Sequence, residues 1–431
     1  MDGKTQIEPG EMVHSKGNER DRAIKEGTPT EDSGSPNLTY SSSPGTEPGT
    51  LLTVEVVRSL AGVALLRADF AHLQIATGNT LPFALYEWQS AWCRHFLRQD
   101  HGIVDHPMFH VVRDNDGTCV AIVPLILTRR RLGVLNFASV GLLGADPAIT
   151  EIRAALVQPG YEERVARALH LSLENGRDWD WMEWIGNDDR FSAAIGRLRS
   201  LGWQPIAPSY VLDLPPTWEE FRAGLKRNIR ESLRRCYNSL KRDGHRFEFK
   251  LAQSPSAVQE ALQRLFVLHA LRANMKSTVE HADRFAGAAL RQFVYDVCGD
   301  LAARGMVRVF QLEIAGQVVA SRIGFVVGDS LYLYYSGFDP EWSKYSVMTT
   351  TVAEAIKYAI EQGLKTVNLS PGNDISKTRW GPREVPAQAA YEHSGRVRSR
   401  LLRHAYLKAR SGEGLQGWLL RRLAGARRNW N

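Results

Sequence analysis

Three apolar runs, Val307–Ile314, Gln317–Val327 and Ser330–Phe338, are separated only by Ala315-Gly316 and Gly328-Asp329. Two-residue turns of this kind between strand-like runs predict a three-stranded antiparallel meander. Upstream, Thr217 and Glu220 form a capping-box pair after Pro215-Pro216, and Trp218, Phe221, Leu225, Ile229, Leu233, Cys236 and Leu240 recur three or four apart. That spacing predicts one amphipathic helix ending at Gly244. A strand (Phe247–Leu251), two helices (Val258–Ala273 and Arg284–Arg304), the meander, a helix (Ser346–Gln362) and a strand (Thr366–Ser370) complete the order. Strand, helices, three antiparallel strands, helix, strand is an α+β arrangement.

Residues 51–214 show a weaker version of the same order. A strand at Leu51–Val57 is followed by helical spacing to about Ile75 and again over Leu85–Leu97. A hairpin, Met108–Arg113 and Thr118–Leu127, turns at Asn115-Asp116-Gly117. Leu132–Ser139 and Trp179–Ile185 read as strands, Tyr161–Glu174 and Ser192–Leu201 as helices, and Tyr210–Leu214 as a closing strand. The fold class expected is therefore α+β, with two tandem halves, each a mixed, mainly antiparallel sheet flanked by helices. No residue-level repeat links the halves.

Composition adds boundaries. Residues 1–50 contain eight residues of the hydrophobic set, too few to offset the entropy of ordering, and are expected to be a disordered arm. Residues 51–214 and 215–395 are the two halves, and 396–431 a basic tail. The chain's net charge of +7 is concentrated in that tail, which holds nine arginines and one lysine against Glu413. The remainder is close to neutral, which weighs against a nucleic-acid-binding body. Leu51–Leu66 is the most apolar long stretch, but Glu55 and Arg58 interrupt it, so no membrane span is expected. No secretory h-region is present. Cys93, Cys119, Cys236 and Cys298 are widely separated, without a CxxC pair, and read as reduced buried thiols of a cytoplasmic protein.

Charged residues in apolar contexts mark the candidate chemistry. Arg322 interrupts the run Val318–Phe325, and strand alternation places it beside Ala320 and Gly324, small neighbours that leave room for a ligand. A charge there needs an anionic partner, either an internal carboxylate or a substrate. Arg222, Lys226, Arg230 and Arg234 line one side of the capped helix and suit an anionic substrate, or form a solvated face. His106 and His110 have helical metal-pair spacing but straddle a loop-to-strand junction without a third ligand, so no metal is assigned.

The segment Lys365-Thr366-Val367-Asn368-Leu369-Ser370-Pro371-Gly372-Asn373-Asp374-Ile375-Ser376-Lys377-Thr378-Arg379-Trp380 resembles the strand, glycine turn and lysine of CelD-like and FemAB-related proteins of the GNAT acyltransferase superfamily. The Trp-centred helix after Pro82, the Val123-Pro124-Leu125 strand and the run Leu225–Cys236 add to the likeness, which covers roughly residues 50–395. It implies a bacterial enzyme moving an acyl group, acetyl above all, from acetyl-CoA to an amino or hydroxyl group of a sugar or glycan-linked acceptor in exopolysaccharide, cellulose or cell-envelope biosynthesis. Asn368 and Lys377 then stand at the catalytic position. Asn368 replaces a frequent aspartate and excludes a catalytic carboxylate there; Lys377 would neutralise transition-state charge. Lys344, Tyr345 and Ser346, before the helix that follows the meander, would receive the coenzyme A pyrophosphate, Ser346 as N-cap. Arg322, Trp380 and Arg230 would contact substrate. Each has a structural alternative: a solvated lysine, an ordinarily capped helix, a packed tryptophan.

Two other readings remain open. One is a FemAB-like transferase using aminoacyl-tRNA, although no long helical hairpin is evident between Phe266 and Arg304. The other is a non-catalytic partner of a polysaccharide synthase. In the tail, Leu401–Leu407 and Leu415–Leu423 alternate apolar residues with arginine, and Trp418 and Trp430 suit a headgroup region. Peripheral attachment to an anionic cytoplasmic membrane face is expected, with packing of 396–410 against the body as the alternative.

Overall fold

The structure of the chain, a computed structural model, describes residues 38–40, 52–100, 102–132, 135–144, 149–176, 178–187, 190–199, 201–275 and 282–411. In the first half β1 (Leu38–Tyr40) and β2 (Leu52–Val57) precede α1 (Leu60–Leu65), α2 (Arg67–Ala76) and α3 (Tyr86–Phe96). The meander β3 (Ile103–Arg113), β4 (Cys119–Leu132) and β5 (Leu135–Leu142) follows, then the short β6 (Leu156–Val157), α4 (Glu162–Asn175), β7 (Trp181–Gly186), α5 (Arg190–Leu198) and β8 (Gln204–Asp213). The second half opens with α6 (Trp218–Gly224) and α7 (Arg227–Arg242), then β9 (Phe247–Ala252), α8 (Pro255–Ala273) and α9 (Ala288–Ala303). Its meander is β10 (Val307–Ile314), β11 (Gln317–Val327) and β12 (Ser330–Phe338), followed by α10 (Val347–Glu361), β13 (Thr366–Pro371), α11 (Ile375–Thr378), β14 (Arg383–His393) and α12 (Val397–Ser411).

The two halves repeat one plan. Strands β2-β3-β4-β5-β7 and β9-β10-β11-β12-β13 are each adjacent in that order, and in each set only the last pair is parallel. The connecting helix makes that parallel pair possible, since a tight turn cannot. The halves then exchange their final strands: β8 pairs with β13, β14 pairs with β7, and β8 and β14 pair with each other. One continuous mixed sheet results, flanked by helices. The expected boundary at residue 214 therefore falls within a single sheet.

Alternation along β12 sets which side chains meet which layer. Tyr332 and Tyr334 join the core built with Phe83 and Trp88 of the first half and Phe293 of α9. Leu331 and Leu333 point to the opposite core, with Ile229 and Leu233 of α7 and Ile356 of α10. A sheet sandwiched in this way brings first-half residues directly against β12.

Three features differ from the sequence expectation, and a fourth follows the alternative given for the tail. The helix expected from Thr217 to Gly244 is two, because Leu225 and Lys226 are extended after Gly224, a poor helix former. Within the arm, Leu38-Thr39-Tyr40 pairs with Leu52–Val54 as an edge strand; the rest of 1–50 lies outside the described residues. Strand β14 was not expected. The beginning of the tail forms α12, which lays Leu402 and Tyr406 on Phe137 and Trp181, while residues 412–431 lie outside the described residues. No helix among the described residues is long and apolar enough to cross a membrane.

Candidate functional site

Strands β12 and β13 pair only at Ser330–Thr366, Leu331–Val367 and Tyr332–Asn368. Beyond Tyr332 the two strands part, although β12 continues to Phe338 and β13 to Pro371. Each strand has a reason to diverge. On its other edge β12 carries a bulge against β11, with Arg322 opposite Ser336 but Gly324 opposite Leu333. On β13, Ser370 has φ 71°, and the pairing with β8 shifts register between Asn368 and Pro371. Asn368, buried, stabilises that turn by accepting a hydrogen bond from the Ser370 amide at 2.9 Å. Its placement is structural, at the point where the fork opens.

Charged groups converge on this fork. After β13, Gly372 takes φ 102°, and Asp374 caps α11 by accepting from the Ser376 amide at 2.7 Å. The chain therefore doubles back, and Lys377 Nζ donates to the Pro371 carbonyl. Burial lowers the Lys377 pKa; Glu151 opposes that shift and Arg322 adds to it. Arg322 lies on β11 opposite Phe310 and Ser336. Burial brings its pKa down to about 10, and its Nε has no hydrogen-bond partner among the described residues. Its Nη2 donates a long 3.5 Å contact to the Leu333 carbonyl. Arg272 of α8 stands close, donating to Ser336 Oγ at 3.4 Å, with its pKa lowered by burial.

The carboxylate that faces these cations comes from the other half of the chain. Tyr332 Oη donates to Glu151 Oε2 at 2.6 Å across 181 positions of sequence. Burial pushes the Glu151 carboxyl up to about 6, against the opposing pull of that hydrogen bond and of the Lys377 and Arg322 charges. The residues before it are held firmly. Tyr334 Oη donates to the Ile149 carbonyl at 2.7 Å, and Trp88 Nε1 donates to buried Thr150 Oγ1 at 3.0 Å. Thr150 packs so tightly on Gly144 that a Cβ there would lie 2.6 Å away.

The remaining expected residues separate into surface and core. Ser346 precedes α10 in a left-handed conformation (φ 54°) and makes no side-chain cap; its carbonyl accepts from the Thr349 and Thr350 amides. Lys344 is exposed and sits over the Tyr345 ring at 4.8 Å. Tyr345 is buried, its hydroxyl bonded to Asp243 and His245, so it supports the turn from the core side. Trp380 packs among Tyr210, Phe221 and Leu369, which makes it a core residue and removes it from an acceptor cleft. Its neighbour Arg379 ties the first turn of α10 to α7 through Thr349 and Ser232. Arg230 is exposed on α7 and lines a groove of about 730 Å³ with Arg227, Arg234, Lys241, Trp218 and Lys357. His106 and His110 both lie on β3, where burial lowers the His110 pKa to about 4. Lys377, Arg322 and Asn368 thus share the fork, and Lys344 and Ser346 flank α10. Arg230 lies on the flank of α7 opposite Ser232.

The first half has the counterpart parallel pair. Strands β5 and β7 pair over Ser139–Gly141 and Trp181–Glu183. Beyond them Trp203 lies against Gly186, where a Cβ would meet its ring at 2.8 Å, and against Gly196.

Residues 227–378, which span α7 to α11 and so contain the open fork, match the family described as acetyltransferase (GNAT) domain. Over this stretch the chain is similar to GNAT domains. GNAT domains use acyl-CoA. No curated protein matches the chain. Among solved structures, FemX is 11% identical, with 74% of this chain and 95% of that one covered at a TM-score of 0.49. A tandem GNAT protein from the clavulanic acid biosynthesis pathway is 13% identical over 80% of this chain and 99% of its own, TM-score 0.44. A conserved protein of unknown function from Bacteroides thetaiotaomicron is 13% identical over 77% and 97%, TM-score 0.46.

Proposed function

We propose that the chain transfers an acyl group, acetyl in the first instance, from acyl-CoA to an amino or hydroxyl group at the fork between β12 and β13. The observation that carries this reading is the parting of the two strands after Tyr332 and Asn368 inside the matched stretch, beside Arg322, whose buried Nε has no hydrogen-bond partner among the described residues. The unpaired strand edges offer backbone groups to an extended donor arm, which satisfies both. The donor's pyrophosphate fits the start of α10, a 15-residue helix without a side-chain cap, with Lys344 and Ser346 next to it. When bound, the donor supplies an activated thioester. Lys377 and Arg322 then stabilise negative charge on the acyl oxygen, an interaction that strengthens as the charge develops.

The acceptor we infer is a sugar or glycan-linked amine or hydroxyl of exopolysaccharide or cell-envelope synthesis. Its support is the resemblance of residues 365–380 to CelD-like proteins. Release of coenzyme A thiol from acetyl-CoA, measured with a panel of amino sugars, tests it. Acceleration by a member of the panel supports the reading, and donor consumption by none of them removes the amino-sugar acceptor.

One observation favours a second reading. The groove along α6 and α7 presents Arg222, Arg227, Arg230, Arg234, Lys241 and Lys357 against Glu219 and Glu231. A cationic groove with Trp218 and Tyr237 in its wall suits an RNA strand, as a FemAB-like use of aminoacyl-tRNA requires. Salt-sensitive binding of bulk tRNA, lost in Arg230→Ala/Arg234→Ala, would separate this reading from the first.

A further inference from the structure

We propose that Glu151, carried by the first half of the chain, accepts the proton of the attacking nucleophile at the fork of the second half. The inference rests on the acyl-transfer reading and supplies the base that Asn368 cannot be.

Position is the first argument. Glu151 is bonded to Tyr332, and Tyr332 is the last residue of β12 paired with β13 before the strands separate. The carboxylate therefore stands at the apex of the fork. It is also held there, because the two residues before it are anchored by Tyr334 and Trp88 on the same side of the sheet. A base must be fixed within reach of the proton it removes, and this loop is fixed at both preceding positions.

The second argument is the incomplete pairing of the buried charges. Glu151 and Arg322 influence one another electrostatically, yet among the described residues they form no ion pair. Arg322 Nε is buried without a hydrogen-bond partner among the described residues, and half-buried Glu151 is bonded to Tyr332 through Oε2. A purely structural pair would close that gap, since an uncompensated buried charge is costly. An acyl carbonyl and an incoming nucleophile between them would satisfy both.

The groups facing Glu151 are Tyr332 from β12, Arg322 from β11 and Lys377 from α11, with Asp374 and Arg272 acting on the two cations. Burial outweighs their combined pull and raises the carboxyl to about 6, closer to the range in which a general base works best. In the step itself the amine or hydroxyl attacks the thioester carbon and its proton passes to Glu151. The C–S bond then breaks with its electron pair on sulfur. Glu151 returns the proton to that thiolate, so the free thiol leaves and the carboxylate is regenerated.

The test is the pH dependence of thiol release from acetyl-CoA by the full chain, with glucosamine as amine probe and with water alone. Wild type should gain activity as pH rises through about 6. Glu151→Gln, which keeps an acceptor for Tyr332, should bind acetyl-CoA normally, lose roughly 10²-fold in kcat and lose the acidic limb. Glu151→Asp should recover part of the rate. Unchanged kcat with the limb intact in Glu151→Gln overturns the proposal. Failure of wild type to bind acetyl-CoA would instead overturn the acyl-CoA reading. Glu151 is then judged by the carbon NMR signal of its carboxyl, which disappears in Glu151→Gln: a midpoint in the ordinary carboxylate range refutes it, and one near 6 supports it.

Discussion

Tyr332 and Asn368 are the final partners in the parallel pairing of β12 and β13. Tyr332 reaches across the sheet to Glu151 and Asn368 holds the Ser370 turn, so each stabilises one side of the opening. The fork is consequently a fixed feature of the backbone, with its charged side chains supplied from β11, α11 and the first half.

Lys377 is expected to contribute chiefly to the chemical step. Lys377→Ala should lower kcat by about 10²-fold, the usual loss for one electrostatic contact to developing charge. Circular dichroism and the melting temperature should change little, since among the described residues the side chain's hydrogen bond goes to the Pro371 carbonyl on the same loop. Unaltered turnover would exclude it from the reaction.

Glu151 should also cost stability where it is ionised. Its folded pKa lies above the unfolded value, so the folded chain holds more protons between about 4.5 and 6 and stability falls as pH rises through that interval. The cost is absent at lower pH and complete above, about 2 kcal/mol at most. Glu151→Gln should therefore melt higher than wild type at pH 8 and equally at pH 4. A variant that melts lower than wild type at pH 8 would mean that the carboxylate is stabilising.

Much of the fold was legible because its signals are local. The meander's strand limits follow from Ala315-Gly316 and Gly328-Asp329, with the positive φ that such turns require at Ala315, Gly316 and Gly328. Strand β14 was not legible: Arg383–His393 contains Pro386 and mostly polar or small residues, and it is a strand because β7 and β8 lie on either side. In the site, Arg322 and Lys377 could be singled out as charges in apolar or turn contexts. Glu151 carried no such signal. It lies between short apolar stretches in a loop, and its significance comes from Tyr332, a partner only folding brings near. Trp380 misled because a tryptophan after a charged turn looks the same whether it packs or binds.

The strand exchange implies that the halves do not fold alone. A fragment of residues 215–395 lacks β8, which pairs with both β13 and β14. That fragment should be insoluble or lack a cooperative thermal transition, whereas co-expression with residues 37–214 should restore one. A cooperatively melting 215–395 fragment would contradict the exchange.

Helix α12 lays Leu402 and Tyr406 on Phe137 and Trp181 and leaves Val397 and Leu401 exposed; the membrane attachment proposed for the basic tail is tested by removing residues 412–431. Anionic liposomes should recover the full chain more than neutral ones, and removal of 412–431 should abolish the difference. Equal recovery on both would show that the basic tail serves another purpose.

Calorimetric titration of the full chain with acetyl-CoA tests the central claim most directly. The family match covers the fork of the second half and not its counterpart in the first. The predicted result is saturable binding of one acetyl-CoA per chain, weakened when Lys344→Glu places a negative charge beside α10. Absence of binding, or two equivalents per chain, would contradict the account.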